Sequence, residues 1–204
     1  MYFLADAYLL AGNNDQAQAQ AAAFLSQAQI PAPYRVHARA SQAVALYKSG
    51  KQQDASVIWM ELTEQSATQP ALLADVMQAC TQAQADCSKF EQRAIAATET
   101  GEGKKYFPLN AALGKYYLTR KEYAKAALYM EAGRDKANKN KIEVNDPTML
   151  AGLSQAYFQT KKFSESLEIY FEMSKQYPAV RQIQDALQGI YATEQKSAGD
   201  VKIF

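Results

Sequence analysis

The sequence predicts an all-α protein made of stacked helix pairs. Three observations carry that prediction. Apolar residues recur at the three-to-four-residue spacing of a helix face along most of the chain, and strand-like alternation is scarce. The few glycines and prolines fall mostly between the periodic stretches, where helices end. A motif also repeats. Leu113-Gly114-x-x-Tyr117 is followed by Ala126 and Met130, and Leu153-Ser154-x-x-Tyr157 is followed by Ser166, Tyr170 and Pro178.

Composition sets the outer bounds. A chain of 204 residues can bury a real core. With 48% apolar and 21% charged residues it is neither a disordered nor a bilayer-spanning composition. A net charge of +1 supplies no field for a phosphate backbone, so no nucleic acid partner is expected. The apolar stretch Met1 to Ala11 carries Asp6, has no basic leader and is too short to span a bilayer, so no direct membrane insertion is expected. Leu4, Ala5 and Tyr8 repeat the spacing of Leu113, Gly114 and Tyr117. The segment therefore reads as part of a repeat whose beginning lies upstream, in the C-terminal part of a longer protein.

The elements follow in order. The first unit, about residues 1–29, has a helix ending near Gly12, a turn through Asn13-Asn14-Asp15 and a second helix from Gln16 to Gln27. Gly12 can adopt the left-handed conformation that ends a helix, and Asn14 or Asp15 can cap the next. The second unit, 34–65, pairs a helix from Tyr34 to Ser49 with one from Lys51 to Glu64, separated by Gly50 and carrying Ala55, Ile58, Trp59 and Leu62 inward. The third, 69–100, has no tyrosine or small-residue signature at the expected spacing and reads as a degenerate repeat. Gly101-Glu102-Gly103-Lys104-Lys105 lacks the first glycine and the Ser/Thr of a phosphate loop, so it reads as a linker. The fourth unit, 107–140, runs into a segment with Arg134, Lys136, Lys139 and Lys141, read as a solvated face before a basic patch. The fifth, 147–178, opens on Asp146-Pro147, a cap and a first-turn proline. A helix over 180–193, with Ile183, Leu187, Ile190 and Tyr191 apolar, has no following partner and reads as a cap on the last repeat. Residues 197–204 read as a flexible tail, leaving residues 1–196 as one domain.

This pattern resembles the tetratricopeptide repeat family, whose unit is about 34 residues with small residues, a tyrosine and a closing proline at set places. The match is specific from Leu109 to Tyr191, fair from Met1 to Leu62 and poor from Ser66 to Lys105. Asn110 and Leu150 stand where the family has tryptophan, and Lys121 and Lys161 replace the turn glycine. The resemblance implies a right-handed α-solenoid of antiparallel helix pairs with a C-terminal capping helix. Gly114 and Ser154 would then sit where the helices of a pair cross, with Ala126 and Ser166 opposite them.

In this family the first helices line a concave wall that receives a peptide or a partner helix. Positions on those helices that point away from the second helix are Asp6 and Leu9; Val44, Tyr47 and Lys48; Lys115, Leu118 and Thr119; and Gln155, Phe158 and Gln159, with Asp185 of the last helix as a further candidate. Some members clamp a terminal carboxylate with Lys, Arg and Asn. The corresponding positions here hold Ala40, Val44, Ala111, Lys115, Ala151 and Gln155, so that clamp is missing.

Catalytic and metal-binding patterns are not found. His37, the only histidine, has no Cys/His cluster around it and reads as a plain helix residue. No nucleophile elbow, metalloprotease helix or calcium loop is present, so no enzyme activity, metal or cofactor is expected. Cys80 and Cys87 flank a predicted turn. On one continuous helix they would be about 10 Å apart and unable to bond; across a turn they could form a disulfide, and two free thiols are the alternative. A disulfide would staple the weakest repeat and favour a periplasm over a cytoplasm.

The leading expectation is a non-enzymatic scaffold that binds another protein or peptide, with a bacterial envelope or secretion assembly as the suggested setting. A ligand- or peptide-sensing repeat domain of a larger regulatory protein is the first alternative. A homodimer through Tyr2, Phe3 and Leu4, the apolar end of the first helix, is the second.

Overall fold

The computed structural model describes residues 2–66, 68–99, 106–134, 147–177 and 179–201. All of its regular structure among these residues is helical, as predicted. The helices are α1 (Tyr2–Leu10), α2 (Asn14–Leu25), α3 (Ala32–Lys48), α4 (Gln52–Gln65), α5 (Pro70–Ala83), α6 (Ser88–Glu99), α7 (Phe107–Thr119), α8 (Tyr123–Ala132), α9 (Pro147–Gln159), α10 (Phe163–Gln176) and α11 (Arg181–Val201). Where the sequence predicts one domain, contacts group the chain into two compact units, Met1–Leu113 and Gly114–Phe204, with the boundary inside α7.

The turns show how the sequence sets the helix pairs. In unit 1, Gly12, Gly50 and Gln84 follow their helices with φ of 75°, 80° and 58°. One residue further on, the N–H of Asn13, Lys51 and Ala85 donates to the carbonyl of Tyr8, Leu46 and Cys80 at 2.8, 2.9 and 3.2 Å. In unit 2, Lys121 and Lys161 take φ of 60° and 61°, and Glu122 and Lys162 donate to Tyr117 and Tyr157 at 3.0 and 2.9 Å. Every pair therefore ends its first helix with the same left-handed cap, which satisfies carbonyls that the helix leaves open. Two of these caps use lysine, which pays a steric cost that glycine avoids. Lys121→Gly and Lys161→Gly should each stabilise the protein by about 0.5 kcal/mol, because the relief of roughly 1 kcal/mol in the turn is partly offset by greater freedom of the unfolded chain. Urea unfolding of the double variant checks this; a lower midpoint would contradict it.

Small residues recur at the crossings. Ala5 and Ala17, Ala43 and Ala55, Gly114 and Ala126, and Ser154 and Ser166 share one register and are all buried. The α9–α10 crossing is polar. The Ser154 hydroxyl lies 2.7 Å from the Ser166 hydroxyl and 2.9 Å from the Ser166 carbonyl, and the Ser166 hydroxyl lies 2.9 Å from the Ser154 carbonyl. Each buried hydroxyl finds its partner inside the joint, so neither is left unsatisfied. At the α7–α8 crossing, Gly114 lies directly against the Met130 backbone. Tyr117, fully buried, stacks on Tyr129 with centroids 5.5 Å apart.

The α5–α6 pair lacks such a crossing. Met77 and Phe90 are buried there. Cys80 and Cys87 form a disulfide across the turn, with Cα atoms 5.9 Å apart. α6 is also tied to α4: Phe90 meets Trp59 edge-on at 5.9 Å, and Arg93 Nη1 donates to the Thr63 carbonyl at 2.7 Å.

At the C-terminus the structure corrects the predicted tail. α11 continues past Thr193 to Val201, so residues 197–201 are helical. Apolar spacing stops at Tyr191, but Ala192, Glu194, Gln195 and Lys196 are good helix formers that carry α11 onward, and no proline interrupts it before Val201. Residues 202–204, the linker Gly101–Lys105, and Lys136, Lys139 and Lys141 lie outside the described residues. Arg134 is described and is not a free cation. Its guanidinium pairs with Glu172 at 2.6 Å and Glu131 at 3.3 Å.

Candidate binding surface

Unit 2 contains a cleft of about 680 Å³. That volume lies within the range of ordinary ligand sites. One wall is α9, which contributes Ala151, Gln155 and Phe158 over a floor of Gly152 and Ser154. The opposite wall is α11, which contributes Ala186, Gly189 and Ile190; Tyr170 of α10 and Leu118 of α7 complete it. The cleft is hollow because so many of these positions are small. No charged side chain lines it. The hydroxyls of its floor, Ser154 and Ser166, are taken up by each other. An occupant would find apolar walls, with the exposed Gln155 amide as a polar group at the edge.

Three of the predicted groove residues of unit 2, Leu118, Gln155 and Phe158, come together in this cleft. Lys115, Thr119 and Gln159 do not line it; the Thr119 hydroxyl donates to the Tyr116 carbonyl of its own helix at 2.7 Å. Sequence reasoning offered only Asp185 from α11, which does not line the cleft, and missed the residues of the second wall. Ala186, Gly189 and Ile190 occur at helical spacing on the predicted cap, and this spacing was the available signal.

Beside α9 lies a charged network of different character. The Tyr157 hydroxyl hydrogen-bonds to Glu131, and its pKa is pushed up to about 12 by burial first and by the Glu131 carboxylate second. With the Arg134 pairs, this network links α8, α9 and α10.

In unit 1 the predicted positions divide differently. Leu9 and Val44 are buried, at 4% and 1% exposure, so they pack in the core instead of facing a guest. The helical period alone could not separate them from the wall, since α3 is enclosed by α1, α2, α4 and α5. Tyr47 is partly buried and Lys48 is exposed. Asp6, partly buried, is held within unit 1. His37 Nε2 lies 2.7 Å from Asp6 Oδ2, and the Ser41 hydroxyl donates to Asp6 Oδ1 at 2.7 Å. His37 is thus not the plain helix residue that the sequence suggests; its partner is 31 residues away, beyond any local pattern.

The electrostatics of this cluster follow from its geometry. Burial works to raise the Asp6 pKa, but the hydrogen bonds from His37 and Ser41 and the imidazolium charge bring it below the ordinary value. The Asp6 hydrogen bond raises the His37 pKa; burial opposes it, and the charges of Asp6 and Asp75 add to it. Asp75 of α5 is exposed by area, yet the surrounding protein still raises its carboxyl pKa, with His37 pulling the other way. Among the described residues no three His, Cys, Asp or Glu side chains converge to hold a metal ion.

At the apolar N-terminal end, Leu4 is 43% exposed, while the side chains of Tyr2 and Phe3 lie outside the described residues. Among the described residues no helix is long and apolar enough to cross a membrane. Compared with known proteins, the chain matches no family model, no curated protein and no solved structure.

Proposed function

We propose that this chain is a tetratricopeptide-like, right-handed stack of helix pairs that serves as a scaffold for another protein. The observation that carries the proposal is the cleft of unit 2, where Leu118, Gln155 and Phe158 converge opposite α11. An uncharged, apolar cleft favours a guest segment that buries aliphatic or aromatic side chains, because a buried charge would have no counterion there. The left-handed caps and the small residues at the crossings support the repeat reading. The disulfide supports an oxidising compartment, such as a bacterial periplasm, as the setting.

The test uses the whole chain as bait for a random peptide library, with Gly189→Leu as the blocking variant. A Cβ at Gly189 meets nothing within 4 Å, so the position admits a side chain, and leucine puts one into the cleft. Selected peptides should be apolar at their anchor positions and should lose at least about tenfold in affinity on Gly189→Leu, equivalent to about 1.4 kcal/mol. If every selected peptide binds both proteins equally, the cleft is not the guest site.

A further inference from the structure

We propose that His37 is a pH-operated tie between α1 and α3, closed in mild acid and slack above neutrality. The geometry carries the idea. His37 reaches from α3 to the Asp6 carboxylate of α1 at 2.7 Å, and Ser41, one turn further along α3, fixes the other carboxylate oxygen at 2.7 Å. Asp6 is therefore gripped from α3 at both oxygens. One grip titrates near neutrality and the other does not.

α1, α2, α4 and α5 pack against α3, and the carboxylates that act on the imidazole come from α1 and α5. α1 supplies Asp6 and α5 supplies Asp75. α2 has one charged residue, Asp15, exposed in its first turn. On α4, Glu61 is engaged by Arg39 of α3. Protonated His37 thus acts on two carboxylates, Asp6 in contact at 2.7 Å and Asp75 through its charge, and loss of its proton removes that cation.

The direction follows from linkage. The folded pKa of His37 is raised, so its contribution is fully present below the ordinary 6.5 and is lost as pH climbs through the folded value. The folded pKa of Asp6 is lowered, so its contribution is present above the ordinary 3.8 and is lost as pH falls through the folded value. The tie is strongest between those limits. Above them the neutral imidazole can still donate one hydrogen bond, but the ionic part has gone.

The chain has a single histidine, so its imidazole proton signal in NMR is unambiguous. The titration midpoint of His37 should lie above 6.5, and Asp6→Asn should lower it. Amide protection in α1, corrected for intrinsic exchange and referred to α9, should fall several-fold between pH 6 and pH 9. His37→Gln should remove that pH dependence while keeping a neutral donor. A wild-type midpoint at or below 6.5, a midpoint indifferent to Asp6→Asn, or the same loss of α1 protection in His37→Gln would each overturn the proposal.

Discussion

Gly114→Ala should cost the protein about 3 kcal/mol, toward the upper end of what overpacking a core does. The added Cβ would fall 2.3 Å from Met130 Cγ, 2.9 Å from Met130 N and 3.2 Å from Met130 Cα. The side-chain atom could rotate away. The backbone of α8 cannot move without shifting the helix, and the helix is held by Ala126 and Met130, both fully buried. Alanine's better helix propensity, about 1 kcal/mol, offsets only part of this. Gly152→Ala is the control. Its Cβ would meet Leu118 Cδ2 at 2.9 Å and Met130 Cε at 3.0 Å, the far ends of flexible side chains. That variant should lose less than about 1 kcal/mol, because those ends can turn aside. Urea unfolding of the two variants decides the matter; equal losses would mean that the α7–α8 crossing is not set by contact between Gly114 and the α8 backbone.

Removing the disulfide should cost about 2–3 kcal/mol, the expectation for closing a short loop. Cys80 and Cys87 are seven residues apart in sequence. The bond acts where the register of small crossing residues fails. Alanine is the replacement of choice at both positions, since both are buried and it adds no polar group there. Wild type and the Cys80→Ala/Cys87→Ala variant should differ under oxidising conditions and converge once reductant is added to the unfolding series. Hydrogen exchange should place the loss in α5 and α6 first, with α6 still held to α4 through Phe90 and Arg93. Titration of the unreduced, denatured protein should find no free thiol; two thiols there would mean that the bridge does not form in solution.

Much of the architecture could be read from residues with a local signature. Glycine at 12 and 50, and small residues at 114, 126, 154 and 166, mark where chains turn and where helices touch, and both constraints leave a trace in residue type. Lys121 and Lys161 show the limit of that trace: the left-handed turn is present although its usual residue is not. The candidate surface was less legible. Leu118, Gln155 and Phe158 follow from helix phase, but Leu9 and Val44 share that phase and are covered by neighbouring helices. The wall from α11 and the partnership of His37 with Asp6 depend on helices meeting in space, which no single helix encodes. The third pair is legible only as a departure, and residue spacing alone leaves both a bridge and two free thiols open at Cys80 and Cys87; the turn between α5 and α6 brings the two together.

The sulfur-bearing residues of that bridge are Cys80 at 0% and Cys87 at 2% exposure. A dissolved thiol cannot attack a bond it cannot touch, so cleavage must wait for the surrounding helices to part. The lifetime of the cross-link is then a clock set by how often this part of the chain breathes, and the strength of the reductant matters only after the door has opened.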